Sequence, residues 1–224
     1  MSFNFDDHYI EWRQARMNTI NKYIPSDFFN KKNLLELGGG LCHNGYEFHK
    51  LGSIVTSTEV REEYVIEATK MFPELTIKQF DCEKSNINTK YDIILHWGLL
   101  YHIKEIETHI QNVCKNCDIL LIETCCIDSD DDTVNIIVPE KGPDQAYHNY
   151  GNRTSPNYVE KIITKNGFKC RMIKDELLNT SKFRTKHYYT WDINNTLKDK
   201  HPVKGTFRRF WICWNENFDM SFLV

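Results

Sequence analysis

Glu36, Gly38-Gly39-Gly40, Glu59 and Asp81 carry the most telling chemistry in this chain of 224 residues. Three adjacent glycines weaken a strand or a helix, because a backbone without side chains loses more freedom on ordering. They suit a place where another backbone or a ligand comes very close. Glu59 lies 23 residues after Glu36 and ends a β-rich run, where a carboxylate can accept both hydroxyls of a ribose. Asp81, in Phe80-Asp81-Cys82-Glu83, follows the next short strand and can accept an adenine amine. Glu36, two residues before the glycines, would repel phosphate but can order an ammonium, directly or through water. Taken singly, Glu59 and Asp81 fit helix caps equally well. Taken in order, the three loops describe an adenosine joined to an amino acid, which is S-adenosylmethionine.

A second group follows the fourth apolar run: His96, Trp97, Gly98, Tyr101 and His102. Methyl transfer from a sulfonium is an in-line displacement, so positioning supplies much of the acceleration. A base is needed only where the acceptor must lose a proton. His102 is the candidate base, with packing in its loop as the alternative role; Tyr101 either shapes the methyl channel or ionises. For the acceptor, arginines interleaved with aromatics can hold an anionic or planar group. Arg16 beside Trp12, Tyr150 with Arg153, and Arg184 in the later polar connection are the candidates.

These residues need a frame. Strands are expected at 33–37, 54–59, 76–80, 91–96 and 119–124, with helices at 42–51, 61–71 and 103–113 between them. Short continuous apolar strands alternating with helices predict a parallel sheet covered on both faces. A glycine turn at the carboxyl end of the first strand is where such sheets bind nucleotides. Residues 1–30 read as a helical preface, with Tyr9, Trp12, Met17, Ile20 and Tyr23 at helical intervals. Residues 128–155 and 174–205 read as polar substrate-side loops. Between them lie a helix at 156–166 and a strand at 169–173, and a late aromatic strand follows at 206–214. The whole is expected to be a single domain.

Leu34-Leu-Glu-Leu-Gly-Gly-Gly40 resembles the first motif of class I S-adenosylmethionine-dependent methyltransferases. Cys42 stands where that motif usually ends in glycine. The resemblance implies an α/β fold with a seven-stranded, mostly parallel Rossmann-like sheet and a final strand inserted antiparallel. It implies cofactor contacts from Glu36, Gly38, Gly39, Gly40, Glu59, Asp81, Cys82, His96, Trp97 and Gly98. Gly98-Leu-Leu-Tyr-His102 is also similar to a run in the tRNA wobble-uridine carboxymethyltransferases. There an arginine follows, whereas here Ile103 does; the likeness does not extend to that family's large N-terminal extension, so the ordinary methyl donor is expected. The acceptor is then a small molecule or an RNA nucleoside.

Composition narrows the remaining classes. A formal net charge of −3 and a pI near 6.3 give no global basic footprint for nucleic acid. No apolar run reaches the length of a membrane span. The first residues resemble no secretory signal, so the eight cysteines are expected as free thiols in the cytoplasm. Cys114-x-x-Cys117 with Cys125-Cys126 lacks the paired knuckles of a structural zinc site, and no metal is expected. Nothing points to a protein partner, and the expected state is a monomer or homodimer. Two other functions are open: an NAD(P)-dependent oxidoreductase, disfavoured by Glu36 and the glycine spacing, and a non-catalytic binding subunit on the same fold.

Overall fold

A computed structural model describes residues 7–142, 145–180, 189, 206–221 and 223 of the chain. The chain opens with α1 (Asp7–Tyr23), and then strands and helices alternate. They are β1 (Asn33–Glu36), α2 (His43–Lys50), β2 (Ile54–Glu59), α3 (Glu62–Met71), β3 (Thr76–Gln79), β4 (Tyr91–Trp97), α4 (Ile106–Lys115) and β5 (Cys117–Ile127). Next come β6 (Asn135–Pro139), β7 (Tyr150–Thr154), α5 (Pro156–Thr164), β8 (Phe168–Met172) and β9 (Thr206–Asn215). Local chemistry sets α5: Ser155 Oγ accepts the Tyr158 N–H at 3.1 Å and Pro156 occupies the first turn.

The central sheet runs β3-β2-β1-β4-β5-β9-β8. Its first five strands are parallel, β9 lies antiparallel to β5, and β8 antiparallel to β9. This is the expected mostly parallel seven-stranded α/β sheet with its last strand reversed. Strand alternation divides the core into two layers. Leu34, Ile93, Leu95 and Phe210 pack with Trp12, Ile20 and Phe48 from α1 and α2. Leu35, Ile94, Ile122 and Trp211 pack with Ile110 of α4 and Val159 of α5. Each such aliphatic contributes about 1.5–3 kcal/mol on burial.

The expected polar loop at 128–155 is in part a β-hairpin. β6 and β7 pair antiparallel from Asn135↔Thr154 to Pro139↔Tyr150, and Cys126↔Thr154 joins the hairpin to β5. β4 pairs with β5 only as far as Trp97↔Glu123, while β9 follows the opposite edge to Ile127. The free upper edge of β5 therefore receives β7, directly above the end of β4. Ile136 and Ile137 are exposed, so the run lacks the inside-outside alternation that marks a strand in sequence.

Candidate functional site

The order β2-β1-β4 places a topological switch between β1 and β4, and a cleft opens there at the strands' carboxyl ends. Gly38 and Gly40 adopt left-handed φ of 61° and 56°, which glycine enters without steric cost. The turn is tied to the β2 end: Gly39 N donates to Thr58 O at 2.8 Å and Gly40 N to Glu59 Oε2 at 3.0 Å. Glu59 Oε1 accepts the Arg61 N–H at 3.0 Å. Gly38, Gly39, Glu59, Asp81 and Cys82 all line the cleft, with Val60, Phe80, Leu99 and Ile103 as its apolar wall. Burial pushes the Cys82 thiol up to about 12, so it lines the cleft as a neutral group.

Two expected contacts are already engaged. Asp81 Oδ1 accepts the Glu83 N–H at 3.1 Å, and Oδ2 lies 2.9 Å from His148 Nε2. Glu36 is buried beneath the turn and does not line the cleft. Its Oε2 accepts the Ser57 hydroxyl at 2.6 Å, while Oε1 has no hydrogen-bond partner. Burial, partly offset by Ser57, pushes the Glu36 carboxyl up to about 7. Gly45 leaves room for this pair: a Cβ there would sit 2.4 Å from Ser57 Oγ and 2.5 Å from Glu36 Oε2.

His96 is placed away from the cleft. It alternates with Leu95 and Trp97, so it faces α4, where its Nε2 lies 2.7 Å from His109 Nε2. Burial holds His96 well below its ordinary value and His109 at about 4, so both stay neutral. Trp97 and Gly98 do line the cleft.

Tyr101 and His102 also line it, in a one-turn 3-10 helix (Leu100–His102) held by the hairpin. Asn152 Nδ2 donates to the carbonyls of Leu100 and Ile103. His102 Nδ1 lies 2.5 Å from Glu140 Oε2, and Glu140 Oε1 accepts from Arg153 Nη2 at 2.8 Å. Burial alone would raise the Glu140 carboxyl, but His102 and Arg153 hold it below the usual range. An ionised carboxylate only accepts, so in neutral His102 the proton belongs on Nδ1 and Nε2 carries the lone pair. Burial pushes the Tyr101 hydroxyl well up, so it stays a phenol and accepts from Arg208 Nη2 at 3.2 Å. That removes ionisation from the two roles expected for Tyr101.

The hairpin approaches this turn through Gly151, where a Cβ would fall 2.2 Å from the Tyr101 carbonyl oxygen. A backbone atom cannot swing aside as a side chain does. Gly151→Ala is expected to cost roughly 1–3 kcal/mol in a denaturant titration and to loosen the Glu140–His102 contact. An unchanged midpoint would show that the hairpin shifts without resistance.

Of the arginines and tyrosine expected at the acceptor, Arg16 lines the cleft, as do their expected neighbours Trp12, Arg13, Tyr147 and His148. Arg153 braces Glu140 and the Tyr101 carbonyl, Tyr150 is exposed on the hairpin, and Arg184 lies outside the described residues. Arg16 is joined by residues that sequence reading missed. Glu123, buried on β5, accepts from Arg16 Nη1 at 3.3 Å and from Arg208 Nη1 at 2.7 Å. The Trp12 ring lies against both guanidiniums, 3.9 Å from that of Arg16 and 4.3 Å from that of Arg208. A signal was present in the sequence: charged residues inside the apolar runs Ile119–Cys126 and Phe207–Trp214. The four cysteines once weighed as ligands are divided, with Cys117 at the start of β5 and Cys125-Cys126 near its far end.

Solved structures resemble this arrangement across nearly the whole chain. The N-terminal domain of EvdMO1, solved with S-adenosylhomocysteine and D-fucose, superposes with a TM-score of 0.67 at 14% identity, covering 96% of this chain and 89% of that one. The fold is that of the class I S-adenosylmethionine-dependent methyltransferases. Magnesium protoporphyrin IX methyltransferase from Synechocystis PCC 6803, solved with S-adenosylmethionine, gives 0.61 at 14% identity over 96% of this chain and 86% of that one. A putative S-adenosylmethionine-dependent methyltransferase from Listeria monocytogenes gives 0.64 at 16% identity over 92% and 97%. No protein-family model and no curated protein sequence matches the chain. The narrower likeness to tRNA wobble-uridine carboxymethyltransferases is not carried by these methyltransferase-fold neighbours.

Proposed function

We propose that the chain is an S-adenosylmethionine-dependent methyltransferase acting on a small-molecule acceptor. The observation that supports this reading best is the convergence of three loop ends on one cleft: the glycine turn, Glu59 and Asp81. The residues fit the cofactor. Glu59 accepts the Gly40 and Arg61 N–H groups and a long 3.5 Å contact from Arg61 Nη1, so it can accept two ribose hydroxyls once Arg61 releases that side-chain contact. Asp81 can take an adenine amine once it shares or releases His148. Bound S-adenosylmethionine supplies a methyl group already activated on a sulfonium. Trp97, Gly98 and Tyr101 would bound the acceptor's part of the cleft, and His102 Nε2 of the neutral imidazole would take the proton of an O–H or N–H acceptor. The run Asp128 to Asp132 with four aspartates, and the overall acidity, favour a small molecule over an RNA nucleoside.

Calorimetric titration with S-adenosylhomocysteine, with NADH in parallel, tests the reading. Micromolar binding of the first alone is expected. Binding of NADH alone would turn the reading to an oxidoreductase, and binding of neither would leave the fold without its activity. The role of His102 has its own readout. Long-range proton–nitrogen NMR of wild type should show His102 protonated on Nδ1, and Glu140→Gln should shift it toward the Nε2 tautomer. The same tautomer mixture in both proteins would remove Glu140 from the mechanism.

A further inference from the structure

The ends of β4, β5 and β9 hold more positive charge than their own contacts need. Glu123 is fully buried and would be neutralised by one guanidinium, yet Arg16 and Arg208 both contact it and both are buried. A second buried charge is costly unless something compensates it. Among the described residues the neighbouring groups do not: Trp12 is uncharged, and burial keeps Tyr101 and Tyr189 protonated. Glu36 is the next carboxyl, but it bonds Ser57 and is pushed up to about 7. Nε of Arg16 and Nε of Arg208 have no hydrogen-bond partner among the described residues. Both arginines line the cleft, and Gly98 leaves room beside them: a Cβ there would lie 3.9 Å from Arg208 Nη1 and from Glu123 Oε2.

We propose that Arg16, Glu123 and Arg208 form an anion-holding subsite of the acceptor pocket, and that the acceptor carries a carboxylate. The assignment to an acceptor rests on the methyltransferase reading. Two guanidiniums held at fixed angles by one carboxylate present the planar donor pattern that a second carboxylate matches. The indole of Trp12 against both cations limits their hydration, which strengthens a charged contact made there. Arg13 is a separate cation for the methionyl carboxylate of the cofactor. That residue sits one helical turn before Arg16, also on the cleft, with no hydrogen-bond or ion-pair partner among the described residues.

Benzoate and its neutral isostere benzamide serve as probes, titrated into the protein saturated with S-adenosylhomocysteine. Benzoate should bind at least about tenfold more tightly than benzamide, with a change in tryptophan fluorescence because Trp12 and Trp97 adjoin Arg16. Arg208→Lys keeps a charge beside Glu123 but loses the planar fork. It should weaken benzoate about tenfold and leave S-adenosylhomocysteine affinity as in wild type. Equal affinity for the two probes in wild type, or no benzoate binding, overturns the proposal whether or not the variant folds. A matching loss of S-adenosylhomocysteine affinity in Arg208→Lys overturns it too, by assigning the anion to the cofactor itself. Should wild type discriminate benzoate yet bind no S-adenosylhomocysteine, the anion subsite stands and the methyltransferase reading falls.

Discussion

Glu59→Ala is expected to weaken S-adenosylhomocysteine binding by roughly ten- to a hundredfold in a calorimetric titration. That range corresponds to the loss of charge-assisted bonds to the ribose, about 1.5–3 kcal/mol. The structure adds a second loss in the same direction. Glu59 accepts the Gly40 N–H and the Arg61 N–H, so it also holds the glycine turn against the start of α3. Removing the carboxylate leaves a left-handed turn with one tie fewer, and part of the cofactor's binding energy must then order it. Glu59→Gln separates the two effects. The amide oxygen can keep one backbone contact but cannot accept from two hydroxyls and two N–H groups, so its affinity should fall between wild type and alanine. A folded Glu59→Ala protein that binds as wild type does would remove this residue from the site.

Glu36→Gln is expected to stabilise the protein by about 3 kcal/mol at pH 8 and by almost nothing at pH 4, read from urea titrations at each pH. Burial raises the Glu36 carboxyl from 4.5 to about 7, and at 1.36 kcal/mol per unit that gives the figure. A raised carboxyl pKa means that the folded state holds its proton more tightly than the unfolded chain does. Its contribution is therefore fully present below pH 4.5 and is lost as pH rises through about 7. Glutamine mimics the protonated acid, still accepts from Ser57 and never ionises. The His96–His109 pair works in the opposite sense and is common to both proteins. His109, held at about 4 against an ordinary 6.5, lowers stability as pH falls through that window in each. The difference between the two proteins thus isolates Glu36. Equal stability at pH 8 would mean that a neighbour fully compensates the ionised carboxylate, with Arg16 the first to test.

Local pattern and tertiary packing divide the site between them. The glycine turn, Glu59, Asp81 and His102 were legible because each follows a strand, and parallel strands bring their carboxyl ends to one edge. Reading His96 as a cleft residue failed on parity: with Trp97 on one face of β4, its neighbour must lie on the other. The hairpin at 135–154 was hidden because its apolar residues face outward and its anchor is a single pairing at Cys126↔Thr154.

The sequence alone determined the alternation of strands and helices, the glycine turn and the order of the three loops. Those features depend on residues close in the chain, through period, glycine and capping. Only the tertiary structure decided what the charged groups hold. Glu140 meets His102 across 38 residues, and Glu123 meets Arg208 across 85 and Arg16 across 107. No local rule pairs a carboxylate with one arginine rather than another. The pairing follows from which strand edges meet and from the cost of leaving a buried charge alone.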